Sequence, residues 1–322
     1  MRAGQCLRMT RASPLVLLNA VCASLLAAAC NASESPEPAQ PTIGSTPKAA
    51  ELRQSAPSVD DSSQPTPDSQ PAVETRHYQI DGVERTALVI LPPGGPTPSP
   101  LLIDFHGHGG NSAAARRSRH FEDVWPQAVV VYPQGVPRVT SRDPDGGRNG
   151  WQMLPGAGKD ADLNLFDSIV SELVTQGWVD PSRVFVTGHS NGAGFTALLA
   201  AERGERLAGV AVVHGGSASL LRPAKLPIMF IAARNDRIVD FDRQYRVLQA
   251  LLTRHGAAEL TPDAGRQLSR IECPDGVALG VYLHDGSHAY PPEAANIIAD
   301  FFTSIEAAGI AVPSADLSPS PQ

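Results

Sequence analysis

The stretch that most constrains this chain is Arg183 to Gly192, RVFVTGHSNG. Val184, Phe185 and Val186 make a short β-branched and aromatic run, and beyond the turn Phe195, Leu198 and Leu199 recur at helical spacing. Between them stands Gly188-His189-Ser190-Asn191-Gly192, so the pattern predicts strand, tight turn and helix with a serine at the apex. A serine there takes a strained backbone and lifts its hydroxyl clear of the sheet. Strand and helix must then approach closely, which requires small residues two before and two after it, and Gly188 and Gly192 supply them.

Not all 322 residues belong to one fold. Arg2, Arg8 and Arg11 precede an apolar run from Leu15 to Ala29, shorter than the roughly 20 residues a bilayer span needs, which reads as a bacterial export signal over residues 1–29. Leu26 to Cys30, LAAAC, resembles a lipobox, with Ala27 where leucine is usual; it implies an acylated Cys30, and Asn31 fits sorting to the outer membrane. The expected location is the cell envelope as a lipoprotein, or otherwise secretion. Removing the leader takes away three positive charges and no negative one, which carries the formal charge from −7 to −10. An acidic surface argues against nucleic acid as a partner, and the membrane would be met only through Cys30. With Cys6 and Cys22 in the leader and Cys30 acylated, Cys273 stands alone, so a large core must replace disulfides.

Residues 30–75 are rich in Pro, Ser, Ala and Gln without a hydrophobic face, the composition of a disordered tether, and residues 313–322 form a similar tail. The intervening domain, 76–312, has the size of one α/β unit. Tyr78 to Ile80 and Thr86 to Leu91 read as strands joined at Asp81-Gly82. Further strands are expected at Leu101 to Phe105, Val129 to Tyr132, Val184 to Thr187, Val210 to Val213, Ile228 to Ala232 and Ala278 to Leu283. Helices are expected at Asp162 to Gln176, capped by Asp162, and near Asn191 to Arg203, Phe241 to Arg254 and Pro292 to Ile305. A hairpin followed by alternating strands and helices implies a mostly parallel sheet with helices on both faces. In such sheets the site lies beyond the carboxyl ends of the strands.

A serine hydroxyl attacks only when a base takes its proton, and the base needs an anion to fix its tautomer. After the strand Ala278 to Leu283 come His284 and His288; His288, in a loop of small and polar residues, is the expected base and His284 the fallback. Asp236 is the first carboxylate after Ile228 to Ala232 and the expected acid, with Asp240 and Asp242 as rivals where the next helix begins. The oxyanion should meet the N–H of Asn191 and a second N–H from the glycine-rich loop Phe105 to Asn111, for which His108 is chosen over its neighbour Gly109. His106 and His108 also admit a metal-pair reading, but no Asp-His follows to complete a binuclear cluster, so neither metal nor cofactor is expected. The long Gly/Pro/Arg-rich stretch from Pro133 to Lys159 should hang over the strand ends, with Trp151 either lining the substrate site or anchoring the loop.

Taken in order, FHGHGGN, GWQ, GHSNGAG, ARNDRIV and GSHAYP resemble the α/β-hydrolase esterases grouped with polyhydroxybutyrate depolymerases and feruloyl or acetylxylan esterases, over roughly residues 76 to 310. The resemblance implies the α/β-hydrolase fold, with Ser190 as nucleophile, Asp236 as acid and His288 as base. It implies hydrolysis of short-chain, hydroxyalkanoate, aromatic or acetyl sugar esters. Two features depart from the group: His108 stands where many members carry a cysteine, and the disulfides common there are missing. A serine peptidase on the same scaffold and a non-catalytic envelope binding protein are the alternatives.

Overall fold

The computed structural model describes residues 71–309 except 141, 142, 224 and 264. The expected leader, Cys30, most of the tether and the tail lie outside the described residues.

The chain opens with an antiparallel hairpin, β1 (Ala72–Ile80) and β2 (Val83–Leu91), turning at Asp81 and Gly82, both at positive φ. β1 begins at Ala72, earlier than composition suggested. Its first four residues are exposed and carry no hydrophobic pattern, and cross-strand pairing of Ala72 with Leu91 is what holds them. There follow β3 (Ser99–Phe105), α1 (Ser112–Arg119), α2 (Phe121–Val124) and β4 (Val129–Pro133). Two short strands come next, β5 (Val136–Pro137) and β6 (Asn149–Gly150). Then come α3 (Ala161–Thr175), β7 (Val179–His189), α4 (Asn191–Arg203), β8 (Gly209–Val213) and β9 (Ile228–Ala233). The chain ends with α5 (Phe241–Arg254), β10 (Gln267–Glu272), β11 (Ala278–His284) and α6 (Ala294–Ala307).

Nine strands form one sheet in the order β1-β2-β4-β3-β7-β8-β9-β11-β10. The six strands from β4 to β11 in that order run parallel, and antiparallel pairing is confined to β1, β2 and β10 at the flanks. Side-chain alternation divides the core. Val184 and Val186 of β7 face one apolar layer with Phe166 of α3, Leu198 of α4 and Leu251 of α5, while Phe185 faces the other with Phe121 of α2 and Phe302 of α6. Helices therefore cover both faces, as periodicity predicts. Phe185 sits between Trp125 and Phe302, ring centroids 5.4 and 4.7 Å away, and burying such a ring stabilises the fold by about 1.5–3 kcal/mol.

Two local expectations need correction, and one strand, β10, was not expected. Asp162 does not cap α3: it is buried, and its two oxygens meet Arg85 at 2.9 Å and Arg138 at 2.6 Å, a tie between the hairpin and the loop before α3. The helix begins instead after Asp160, whose side chain makes no capping bond. β10 shows no apolar run because it is an edge strand with alternately exposed residues, paired on one side only. α6 starts two residues later than expected, after Pro291 and Pro292. Among the described residues no helix is long and apolar enough to cross a membrane.

Candidate active site

The sheet order brings the carboxyl ends of β3, β7, β9 and β11 to one rim, and each delivers one piece of the site. At the end of β7, Ser190 has φ 57° and ψ −115°, a region that costs an L-residue about 1–3 kcal/mol. Close packing holds it there. The Ser190 N–H donates to Val213 O of β8 at 2.9 Å. A β-carbon on Gly188 would lie 2.4 Å from Gly192 O, and one on Gly192 would lie 2.1 Å from Phe105 O. Strand, helix and the end of β3 thus touch backbone to backbone, and any side chain at either glycine would force them apart.

The three side chains expected to act together do meet. His288 Nε2 lies 2.8 Å from Ser190 Oγ, and His288 Nδ1 lies 2.7 Å from Asp236 Oδ2. Asp236 Oδ1 accepts the N–H groups of Ile238 at 2.8 Å and Val239 at 2.9 Å, and Oδ2 also accepts Gln244 Nε2 at 3.1 Å. Burial pushes its carboxyl pKa up, but the His288 hydrogen bond and those two backbone donors outweigh it and leave the pKa below the usual carboxylate value. The anion so held requires the His288 proton on Nδ1, which leaves Nε2 free to accept from the serine. Asp240, one of the rivals, caps α5 through the N–H of Arg243.

His288 is itself held from behind. His189 Nε2 lies 2.8 Å from the His288 carbonyl oxygen. Burial, then the charge of Arg119, drives the His189 pKa far below its ordinary value, so the ring is neutral and donates from Nε2. His284, the fallback base, is engaged elsewhere. Its Nδ1 accepts the Gly286 N–H at 3.1 Å, so the proton lies on Nε2 and is donated to His214 Nε2 at 2.9 Å. Burial lowers the pKa of His284 and that of His214, the latter to about 4.

His189, His214 and His288 present ring nitrogens within 4.8 Å of one another. Four of their six ring nitrogens are spent on a carbonyl, a carboxylate, a hydroxyl and an imidazole. A donor set so engaged suits a hydrogen-bond network rather than a cation. His106 fits a metal no better: Nε2 accepts the Gly135 N–H at 3.0 Å, and Nδ1 faces Gly107 O at 2.8 Å. His108 turns its Nε2 to Asp143, 3.2 Å away.

On the opposite side of Ser190, the loop after β3 packs against the turn: a β-carbon on Gly107 would lie 3.4 Å from Ser190 Cβ. The Gly109 N–H is taken by Asn149 O at 2.7 Å and is not available to a substrate. No acceptor among the described residues takes the His108 N–H, and the Asn191 N–H heads α4. Trp151 is not at the cleft surface. It is 1 % exposed, its ring stacks on Phe195 at 5.6 Å, and its Nε1 donates to His106 O at 2.8 Å. A ring so enclosed cannot line a substrate site, and the anchoring alternative describes it. Gln244 and His189 were not singled out from sequence. Gln244 did leave a signal, a polar residue on the helical stripe it shares with Leu248, Leu251 and Leu252.

Two openings flank Ser190. One, about 370 Å³, includes Ala115, Arg119, His288 and Tyr290. The other, about 350 Å³, includes Val139, Met153, Ile238 and Arg243. Arg119 forms a buried ion pair with Asp104 and lies over the Tyr290 ring, 4.6 Å from its centroid.

Residues 128–264 match the sequence profile of the dienelactone hydrolase family. The chain is 26 % identical over 229 residues to feruloyl esterase D of Neurospora crassa, an alignment covering 67 % of this chain and 77 % of that protein. It is 24 % identical over 168 residues to the bifunctional acetylxylan esterase/xylanase XynS20E of Neocallimastix patriciarum, covering 50 % of this chain and 23 % of that protein. Several other relatives are matched over about half their length. Among solved structures, a ferulic acid esterase superposes with a TM-score of 0.53 at 15 % identity, covering 73 % of this chain and 98 % of that one. The described domain has the α/β-hydrolase fold, is similar in sequence to esterases and matches the dienelactone hydrolase family model over residues 128–264.

Proposed function

We propose that this chain is an exported serine esterase that hydrolyses carboxylic esters through an acyl-enzyme. The observation that carries the reading is the continuous bond from Asp236 through His288 to Ser190, 2.7 and then 2.8 Å. As Ser190 Oγ bonds to the ester carbonyl carbon, its proton passes to His288 Nε2. Asp236 stabilises the imidazolium, and the N–H groups of His108 and Asn191 receive the negative carbonyl oxygen. The C–O bond to the alcohol then breaks while His288 returns the proton to the departing oxygen. Water repeats the sequence: His288 takes its proton as the hydroxyl attacks the acyl carbon, then passes that proton to Ser190 Oγ as the acyl C–O bond breaks and the acid is released.

The substrates proposed are short-chain, hydroxyalkanoate, aromatic or acetyl sugar esters. Similarity to proteins named feruloyl and acetylxylan esterases supports the last two, and the apolar side chains Val139, Met153 and Ile238 beside Ser190 suit an acyl or aromatic group. Export rests on the arginine-flanked apolar leader, and anchoring in the envelope on acylation of Cys30. The test is hydrolysis of nitrophenyl esters from acetyl to octanoyl by the purified protein, with and without a serine-directed phosphonate. Turnover that the phosphonate abolishes, and that falls by about four orders of magnitude or more in Ser190→Ala, is expected. No turnover across the series, or a fully active Ser190→Ala, would overturn the reading. Comparable rates on matched anilides would make the protein a peptidase.

A further inference from the structure

Oxyanion donors are backbone groups, and here they belong to two separate segments. The distance between the His108 and Asn191 N–H groups depends on how the loop after β3 sits against the turn at Ser190. Asn149, Gly150 and Trp151 cross that junction and bond to both sides. Toward the loop, Asn149 O accepts the Gly109 N–H at 2.7 Å and Asn149 Nδ2 donates to Gly110 O at 3.2 Å. Trp151 Nε1 adds its bond to His106 O at 2.8 Å. Toward the turn, Asn191 Oδ1 accepts the Trp151 N–H at 2.7 Å, and Asn191 Nδ2 donates to Trp151 O at 3.2 Å.

The circuit closes directly, because a β-carbon on Gly192 would lie 2.7 Å from the same His106 carbonyl. Nothing bulky intervenes: a β-carbon on Gly150 would lie 2.9 Å from both Asn191 Oδ1 and His108 Nδ1. The strut is also tied on its far side, through pairing of Val136 with Gly150 and through the Gln152 N–H bond to Asp162 at 2.7 Å. Neither segment can shift alone without breaking several of these bonds at once.

We infer that Asn149–Trp151 is a strut that sets the gap between the two oxyanion donors, with Trp151 a positioning residue that never touches substrate. The inference rests on the esterase reading. A ground-state carbonyl tolerates a loose pair of donors, whereas a tetrahedral oxyanion needs both within hydrogen-bond reach, so slackening the strut slows turnover without weakening substrate binding.

The experiment compares the full-length wild type, Trp151→Phe, Asn191→Ala and the double variant. It reads kcat and KM on nitrophenyl butyrate, affinity for an acyl-matched trifluoromethyl ketone, and Tm. The ketone forms a hemiketal oxyanion with Ser190 and so reports on the gap. Trp151→Phe keeps an aromatic ring on Phe195 but loses the Nε1–H. It should lower kcat about 10-fold or more, leave KM within about twofold, and weaken the ketone in step with kcat. Asn191→Ala retains its own backbone N–H and should show the same signature. The double variant should lose less than the product of the two, since both open one gap.

A lower Tm with kcat and ketone affinity at wild-type values would overturn the inference, as would a raised KM at constant kcat. Should Trp151→Phe fail to fold, Asn191→Ala gives the same two readings. A wild type inert toward every ester would overturn the esterase reading and the strut with it. An active wild type with unmoved variants would overturn the strut alone.

Discussion

The two sides of Ser190 are built by different means. On one side stand His288 and Asp236, side chains joined end to end across three strands. On the other side, in the proposed reaction, the donors are backbone N–H groups whose placement falls to residues 149–151, which bond to Asn191 and His106 and hold no reacting group. The first side concentrates its chemistry in individual functional groups, so single atoms decide it. The second distributes its geometry over carbonyls, an indole and a carboxamide, so a single change should degrade it rather than abolish it.

That contrast is broken most sharply at Asp236. In Asp236→Asn the Ile238 and Val239 N–H groups still have an oxygen to bond, but an amide N–H now faces His288 Nδ1 and favours the wrong tautomer. The expected loss in kcat is about 10⁴-fold at an unchanged Tm, read by steady-state kinetics and calorimetry. An activity loss under tenfold would mean that the carboxylate does not hold the base. Gly192→Ala attacks the fold itself, because its methyl would lie 2.1 Å from Phe105 O. A destabilisation of about 3 kcal/mol or more in urea unfolding, or no soluble protein, is expected.

Acid sharpens the comparison because both sides bury neutral imidazoles, His106 on one and His189 and His214 on the other. Burial lowers the pKa of His106 to about 4 and of His214 to about 4, against roughly 6.5 in the unfolded chain. Between those values the unfolded chain binds the proton and the folded one does not, so stability is complete above pH 6.5 and falls as the pH drops toward 4. Each ring should contribute about 2–3 kcal/mol to that fall. Equal urea midpoints at pH 7 and pH 5 would show that the rings are not held neutral. The smallest effect is expected for Gln244→Leu, which removes one of several donors to Asp236 and should lower kcat about three- to tenfold.

The same division explains what could be read in the chain beforehand. Ser190 announces itself because its geometry demands Gly188 and Gly192, and strand ends made His288 and Asp236 the natural residues to pair with it. The mostly parallel sheet was legible from apolar runs alternating with amphipathic helices. A backbone donor carries no residue signature, however: that the Gly109 N–H is bonded to Asn149 O, forty residues downstream, could not be read from the glycine-rich loop. Trp151 admits two readings from sequence, substrate wall or loop anchor, because Phe105 and Phe195, the rings that enclose it, come from distant segments. Asp162 was mistaken for a cap because its partners, Arg85 and Arg138, come from distant segments.

Openings of about 370 and 350 Å³ on either hand of Ser190 give the proposed reaction two doors. An acyl group lodged among Val139, Met153 and Ile238 can stay in place while the alcohol departs past Ala115 and Tyr290, and the vacated doorway then admits the water that must follow. On the proposed acyl-enzyme route the alcohol must leave before the acid, and an opening on each side of Ser190 lets the two use separate exits.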